Sequence, residues 1–221
     1  MNIIQNLVPQ SKFNIKCPYT MNPEFIVVHN TYNDASARSE VAYMINNNNQ
    51  TSYHYAIDDK EIIQAIPENR NAWHAGDGNG SGNRKGIGIE ICYSKSGGSK
   101  FIAAEKLAAK FIAFKLNEKG WGIDKVKKHQ DFSGKYCPHR TLDMGWQRFL
   151  NMVKDELDKL KTPVHPINTN IVKASYKGRQ FNFDGFMKDN TNYVQIRQVL
   201  EALGYRVGWD NASKTVLIYD K

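Results

Sequence analysis

Hydrolysis at a zinc ion needs three protein ligands of nitrogen, sulfur or oxygen type, an open fourth position and a nearby acid or base. Residue types for each part occur in this chain. His29 ends the apolar run FIVVH and is followed by the polar stretch NTYND, which sets its imidazole at a sheet edge where a cleft can open. His129 and Cys137 bracket HQDFSGKYC, in which Gly134 lets the backbone fold back so that both side chains reach one ion. His139, two residues further on, is a rival ligand that the spacing does not exclude. Glu90 is a lone carboxylate in the apolar run GIGIEI. Burying it unpaired is costly, so it has a partner or faces a polar cleft, and a raised pKa there suits it to general acid/base work. Lys135, inside the loop, offers a cation to the oxygen of a tetrahedral intermediate. Each also has a plainer role: a satisfied strand-end histidine, a small buried thiol, a salt-bridged carboxylate and a solvated lysine.

The elements that must position these residues mix two periods. FIVVH (25–29) and GIGIEICY (86–93) read as buried strands, and YHYAID (53–58) with EIIQAI (61–66) as a hairpin turning at Asp59 and Lys60. Helical spacing appears around Val41, Met44 and Ile45, around Ala104, Leu107, Ala108 and Phe111, and at Trp146, Phe149, Leu150, Val153, Leu157 and Leu160. This makes the first part, 1–160, α/β. KTPVHPINTN then breaks the helix with two prolines, which places a linker at 161–167. Beyond it, 168–221 reads as a small α+β module: short strands with glycine turns, a helix over YVQIRQVLEALGY ended by Gly204, and a closing hairpin through Asp210 and Asn211.

Bulk properties narrow the setting. Lys+Arg at 30 against Asp+Glu at 22 gives +8, which favours an anionic partner. The charge is spread over both parts rather than clustered with aromatics, which argues against a nucleic-acid binder. No run approaches the ~20 apolar residues of a membrane span, and MNIIQNLVPQSKFNIK lacks the apolar core of a signal peptide, so synthesis in the cytoplasm is expected. Three cysteines at wide spacing argue against a disulfide framework.

FIVVHNT, TSYHYAID, AWHAG, KGIGIEIC and HQDFSGKYCPH, in this order from Phe25 towards Leu160, resemble the type 2 N-acetylmuramoyl-L-alanine amidase family of T7 lysozyme-like amidases, phage endolysins and peptidoglycan recognition proteins. The resemblance implies a central mixed β-sheet flanked by helices, a zinc ion on His29, His129 and Cys137, and an acid/base at Glu90 assisted by Lys135. Some members rely instead on a tyrosine at the position of Tyr53, and the sequence leaves the main proton carrier open between the two. Trp73 and His74 match residues lining the substrate groove, and the glycine-rich stretch 76–86 is expected as a flexible rim over it.

The reaction implied is cleavage of the lactyl-alanyl amide of bacterial peptidoglycan, with zinc as cofactor. A non-catalytic wall-recognition module fits less well, because such relatives lack the third ligand and Cys137 is present. YVQIRQVLEALGYRVGWDNASKTVLIY resembles the copper amine oxidase N-terminal-like domain, with no His or Cys in 168–221 to hold copper. In an amidase that tail suggests a wall anchor, with Tyr193, Tyr205 and Trp209 as candidate sugar-stacking residues. The organisation is that of a phage or prophage endolysin held in the host cytoplasm before lysis, with the oligomeric state open between a monomer and a dimer through the module.

Overall fold

The computed structural model describes residues 1–161, 170–188, 191–210 and 215–220. They fall into two units, Met1–Lys161 and Thr162–Lys221.

Six strands build the sheet of the first unit: β1 (Ile4–Gln5), β2 (Phe25–Asn30), β3 (Tyr55–Ile57), β4 (Ile62–Gln64), β5 (Gly86–Ile91) and β6 (Val126–Lys128). Their spatial order is β1-β4-β3-β5-β2-β6. The strands β3, β5, β2 and β6 run parallel, β4 returns antiparallel to β3 as the expected hairpin, and β1 lies parallel to β4, so the sheet is mixed. In order along the chain the helices are α1 (Phe13–Lys16), α2 (Ala37–Asn46), α3 (Ser81–Lys85), α4 (Gly98–Lys119), α5 (Gln130–Ser133), α6 (His139–Asp143) and α7 (Trp146–Lys161).

Strand parity decides which face receives chemistry. Ile26 and Val28 of β2, with Ile87, Ile89 and Ile91 of β5, join Phe101, Ala104, Ala108 and Phe111 of α4 and Phe149, Val153 and Leu157 of α7 in one core. Side chains alternate across a sheet, so His29 and Glu90 must point to the other face. That face is covered by a second core containing Val41 and Met44 of α2 with Tyr53, Ala56, Ile63 and Cys92. Each of the three expected helical stripes is buried or, at Ile45, Leu107, Trp146 and Leu150, half-buried, except that Leu160, near the end of α7, is exposed. A left-handed Gly120 stops α4, the ordinary glycine ending of a long helix.

In the second unit, β7 (Asn170–Tyr176), β8 (Arg179–Lys188) and β9 (Thr191–Val194) form an antiparallel sheet, α8 (Ile196–Ala202) follows, and β10 (Arg206–Asp210) pairs with β11 (Thr215–Tyr219). The expected helix starts later than its sequence suggests: Tyr193 and Val194 pair with Phe186 and Gly185 instead, because the ladder to β8 offers their backbone partners. Except for Lys161, the last residue of α7, the expected linker lies outside the described residues, as does Asn211 of the expected turn.

Candidate active site

The carboxyl ends of three adjacent parallel strands meet at one place, the usual location for ligands in such sheets. His29 is opposite Glu90 in the β2–β5 register, and His129 follows β6, its backbone N–H donating to the Val28 carbonyl at 3.3 Å. Gly134 adopts a left-handed φ of 76°, closing the loop after α5 so that Cys137 returns beside His29. Asn30 ties this return down. Its amide oxygen accepts from the backbone N–H groups of Arg140 at 3.0 Å and Thr141 at 3.2 Å, fixing the start of α6 against the end of β2.

His29, His129 and Cys137 are buried, and their candidate ligand atoms all lie within 4.8 Å of one another. The Nδ1 atoms of the two histidines are 3.0 Å apart, and the Cys137 Sγ is 3.9 Å from His29 Nδ1. Tetrahedral zinc with ordinary bond lengths separates such donors by about 3.3 Å and about 3.6 Å, so these two separations lie within a few tenths of an ångström of what the ion needs, and two imidazoles with a thiol fit it in chemistry. Burial holds the imidazoles neutral, the form a metal takes: His29 is driven well below its ordinary range, and His129 falls to about 4, with Lys135 adding to the effect. Burial, with Glu90 nearby, pushes the Cys137 thiol up to about 12. His139 is not part of this cluster. Its ring packs on Tyr32 and its Nε2 donates to the Ser94 carbonyl at 3.2 Å, which removes it as a rival ligand.

The three face a cleft of about 360 Å³ that also presents Tyr53, His74, Glu90 and Lys135. Glu90 Oε2 and the Tyr53 hydroxyl are buried there without a hydrogen-bond partner among the described residues. Such atoms are costly unless a bound group satisfies them. Burial, together with Glu40, pushes the Glu90 carboxyl up to about 8, while Lys135 pulls in the other direction. Burial and the charge of Glu90 drive the Tyr53 hydroxyl far above its ordinary range, so it keeps its proton.

The two groove residues of AWHAG separate. His74 is buried at the floor, with Nδ1 3.0 Å from His29 Nε2 and Nε2 3.2 Å from the Gly86 carbonyl oxygen. Trp73 is not among the cleft-lining residues: its indole N–H donates to the Ile15 carbonyl at 3.1 Å and its ring meets Tyr19 edge-on, so a backbone acceptor in α1 claims it. The glycine-rich stretch is likewise no simple rim. Asp77 accepts from the Gly82 and Asn83 backbone N–H groups at the start of α3, and Asn83 in turn holds the His74 and Ala75 N–H groups.

Several lining residues escaped the sequence reading. Glu40, Tyr43, Met44 and Asn47 line the cleft from α2 and its end, and the signal was present as polar and aromatic residues at helical spacing beside the apolar stripe. Asn49 and Thr51 continue the wall, fixed by the buried Lys16, whose ammonium donates to Asn47 Oδ1 and to the Asn49 and Thr51 carbonyls. In the second unit Tyr193 and Tyr205 are partly exposed, and the Trp209 side chain lies outside the described residues.

Known proteins share this sequence pattern and fold. The profile of the N-acetylmuramoyl-L-alanine amidase family matches residues 19–140, and that of the copper amine oxidase N-terminal domain matches residues 173–221. The N-acetylmuramoyl-L-alanine amidase CwlA of Bacillus subtilis (strain 168) is 55% identical over 217 residues, which cover 92% of this chain and 80% of CwlA. The structure of PlyL superposes with a TM-score of 0.68 at 54% identity, covering 69% of this chain and 97% of PlyL. A mutant endolysin from Bacillus subtilis superposes with a TM-score of 0.64 at 42% identity, covering 69% of this chain and 99% of the endolysin. With its sheet order, its cleft and these matches taken together, the chain belongs to the N-acetylmuramoyl-L-alanine amidase family.

Proposed function

We propose that the chain is a zinc-dependent peptidoglycan hydrolase that cleaves the amide between N-acetylmuramic acid and the L-alanine of the stem peptide, and that it serves a phage or prophage as an endolysin. The observation that carries this reading is the convergence of His29 Nδ1, His129 Nδ1 and Cys137 Sγ in a cleft shared with Glu90 and Lys135. His29, His129 and Cys137 would hold the zinc, which when bound would supply a Lewis acid for the amide carbonyl and acidify water toward a pKa of ~7.

The remaining steps belong to the chain's own side chains. The Glu90 carboxylate takes a proton from the attacking water and returns it to the departing alanine nitrogen as the carbon–nitrogen bond breaks. A carboxyl pushed up to about 8 exchanges protons near neutral pH, as that double duty requires. Tyr53 does not compete for the role. Its hydroxyl stays protonated and donates, with the Lys135 ammonium, to the oxygen that gains charge.

The endolysin assignment draws on the likeness to an endolysin structure, and it puts the protein in the host cytoplasm until the membrane is breached, with no partner required beyond peptidoglycan. The second unit holds the enzyme on the wall through exposed aromatics such as Tyr205. Removing 162–221 is expected to reduce sedimentation with purified wall, and unchanged sedimentation would refute that role. For the catalytic reading, purified wall is digested with wild type, Glu90→Gln and Cys137→Ser. Loss of lysis in both, with zinc kept by Glu90→Gln and lost by Cys137→Ser, is expected. Full activity of Glu90→Gln with zinc bound would remove Glu90 from the proton transfer.

A further inference from the structure

Both ring nitrogens of His74 are engaged inside the protein, which leaves it no free N–H for a substrate. Its Nε2 is 3.2 Å from the Gly86 carbonyl oxygen, an atom that only accepts, so Nε2 carries the proton. A neutral imidazole has one N–H, and Nδ1 is therefore a lone pair. That lone pair lies 3.0 Å from His29 Nε2, so the His29 proton must be on Nε2. The lone pair of His29 is then on Nδ1, the atom facing His129 Nδ1 and Cys137 Sγ.

We propose that His74 is a positioning residue that locks His29 in the Nε2–H tautomer and aims its Nδ1 at the metal position. The proposal rests on the zinc reading of the site. Outer partners of this kind commonly fix the tautomer and ring angle of a metal-ligating histidine. The surroundings hold the His74 ring in place from several sides. Asn83 Oδ1 accepts from the backbone N–H of His74 at 2.7 Å and of Ala75 at 2.8 Å. Asp77 secures Asn83 in turn. Opposite, the ring lies on the bare Cα of Gly88, where a Cβ would stand 2.7 Å from its Cγ and Cδ2. His74, Asp77 and Asn83 of the glycine-rich stretch and Gly88, the second glycine of GIGIE, thus act on one ligand, although they are separate in the sequence.

The test uses the full chain. In metal-free wild type labelled with nitrogen-15, His29 is expected to show an Nε2–H proton and the long-range pattern of that tautomer. His74→Asn, whose amide oxygen falls near the place of Nδ1, keeps the signal and binds zinc within about threefold of wild type in chelator competition. His74→Leu loses the signal and binds zinc about 10–100-fold more weakly, the usual cost of removing such a partner. Wild-type His29 protonated on Nδ1, or His74→Leu retaining both the signal and the affinity, overturns the proposal. Should His74→Leu fail to fold, the wild-type assignment and His74→Asn decide the matter. A wild type that binds no zinc while His29 still carries Nε2–H would instead sink the zinc reading on which the proposal rests.

Discussion

At the scale of residues, the cleft is an arrangement of groups held in their neutral forms by burial, and that gives its metal affinity a definite pH dependence. His129, lowered to about 4, has no proton to release near neutrality, whereas the Cys137 thiol, raised to about 12, must lose one to bind. Zinc affinity should therefore rise about tenfold per pH unit between roughly pH 6 and 8, one proton released per ion. Chelator competition at several pH values measures this slope, and a flat line would mean that the thiol is not a ligand. The acid/base group is sensitive to one cation. Lys135 opposes the rise of the Glu90 carboxyl, so Lys135→Met should move the rising limb of the activity–pH profile upward, since a base works only above its pKa. A downward shift would contradict the assignment.

At the scale of elements, the site depends on strand parity and on close approach. The apolar runs around His29 and Glu90 made β2 and β5 legible, whereas the common face of the two residues needed the parallel register that sets them opposite each other. Less legible were β1 and β6, with two and three residues, because so short a strand has no period to read. The helix α3 was hidden for a different reason: its glycine-rich sequence has poor intrinsic propensity, and Asp77 supplies the N-terminal hydrogen bonds that stabilise it. The ligands were legible one by one; spacing alone left Cys137 and His139 open and the family resemblance chose Cys137, whereas the role of His74 needed its two hydrogen bonds. Gly88→Ala tests the close approach. The added Cβ has no room beside the His74 ring, and the substitution should cost about 1–3 kcal/mol of stability, as overpacking does, and weaken zinc binding as well. Calorimetry with zinc titration reads both, and a variant matching wild type in each would show that the ring yields freely.

At the scale of the whole molecule, the buried imidazoles make the metal-free fold sensitive to acid. His54, His74 and His129 titrate at about 4, about 3 and about 4 in the folded chain, mainly because burial disfavours their charged forms. An unfolded histidine titrates near ~6.5. The unfolded chain therefore binds protons that the folded chain refuses, and stability is full above about pH 6.5 and drains as pH falls toward the folded values. His29, driven well below its ordinary range, adds to this, while Glu90, raised to about 8, acts in the opposite direction and offsets part of it. The melting temperature of the metal-free protein should thus decline from pH 6.5 to 4, and a constant value would contradict the buried, neutral state of the histidines. The central claim, a zinc amidase, is tested most directly by elemental analysis of the purified chain beside identification of the new amino termini in digested wall. The account predicts a single zinc per chain and newly free N-terminal alanine; new termini of any other residue, or full cleavage by zinc-free protein, would contradict it.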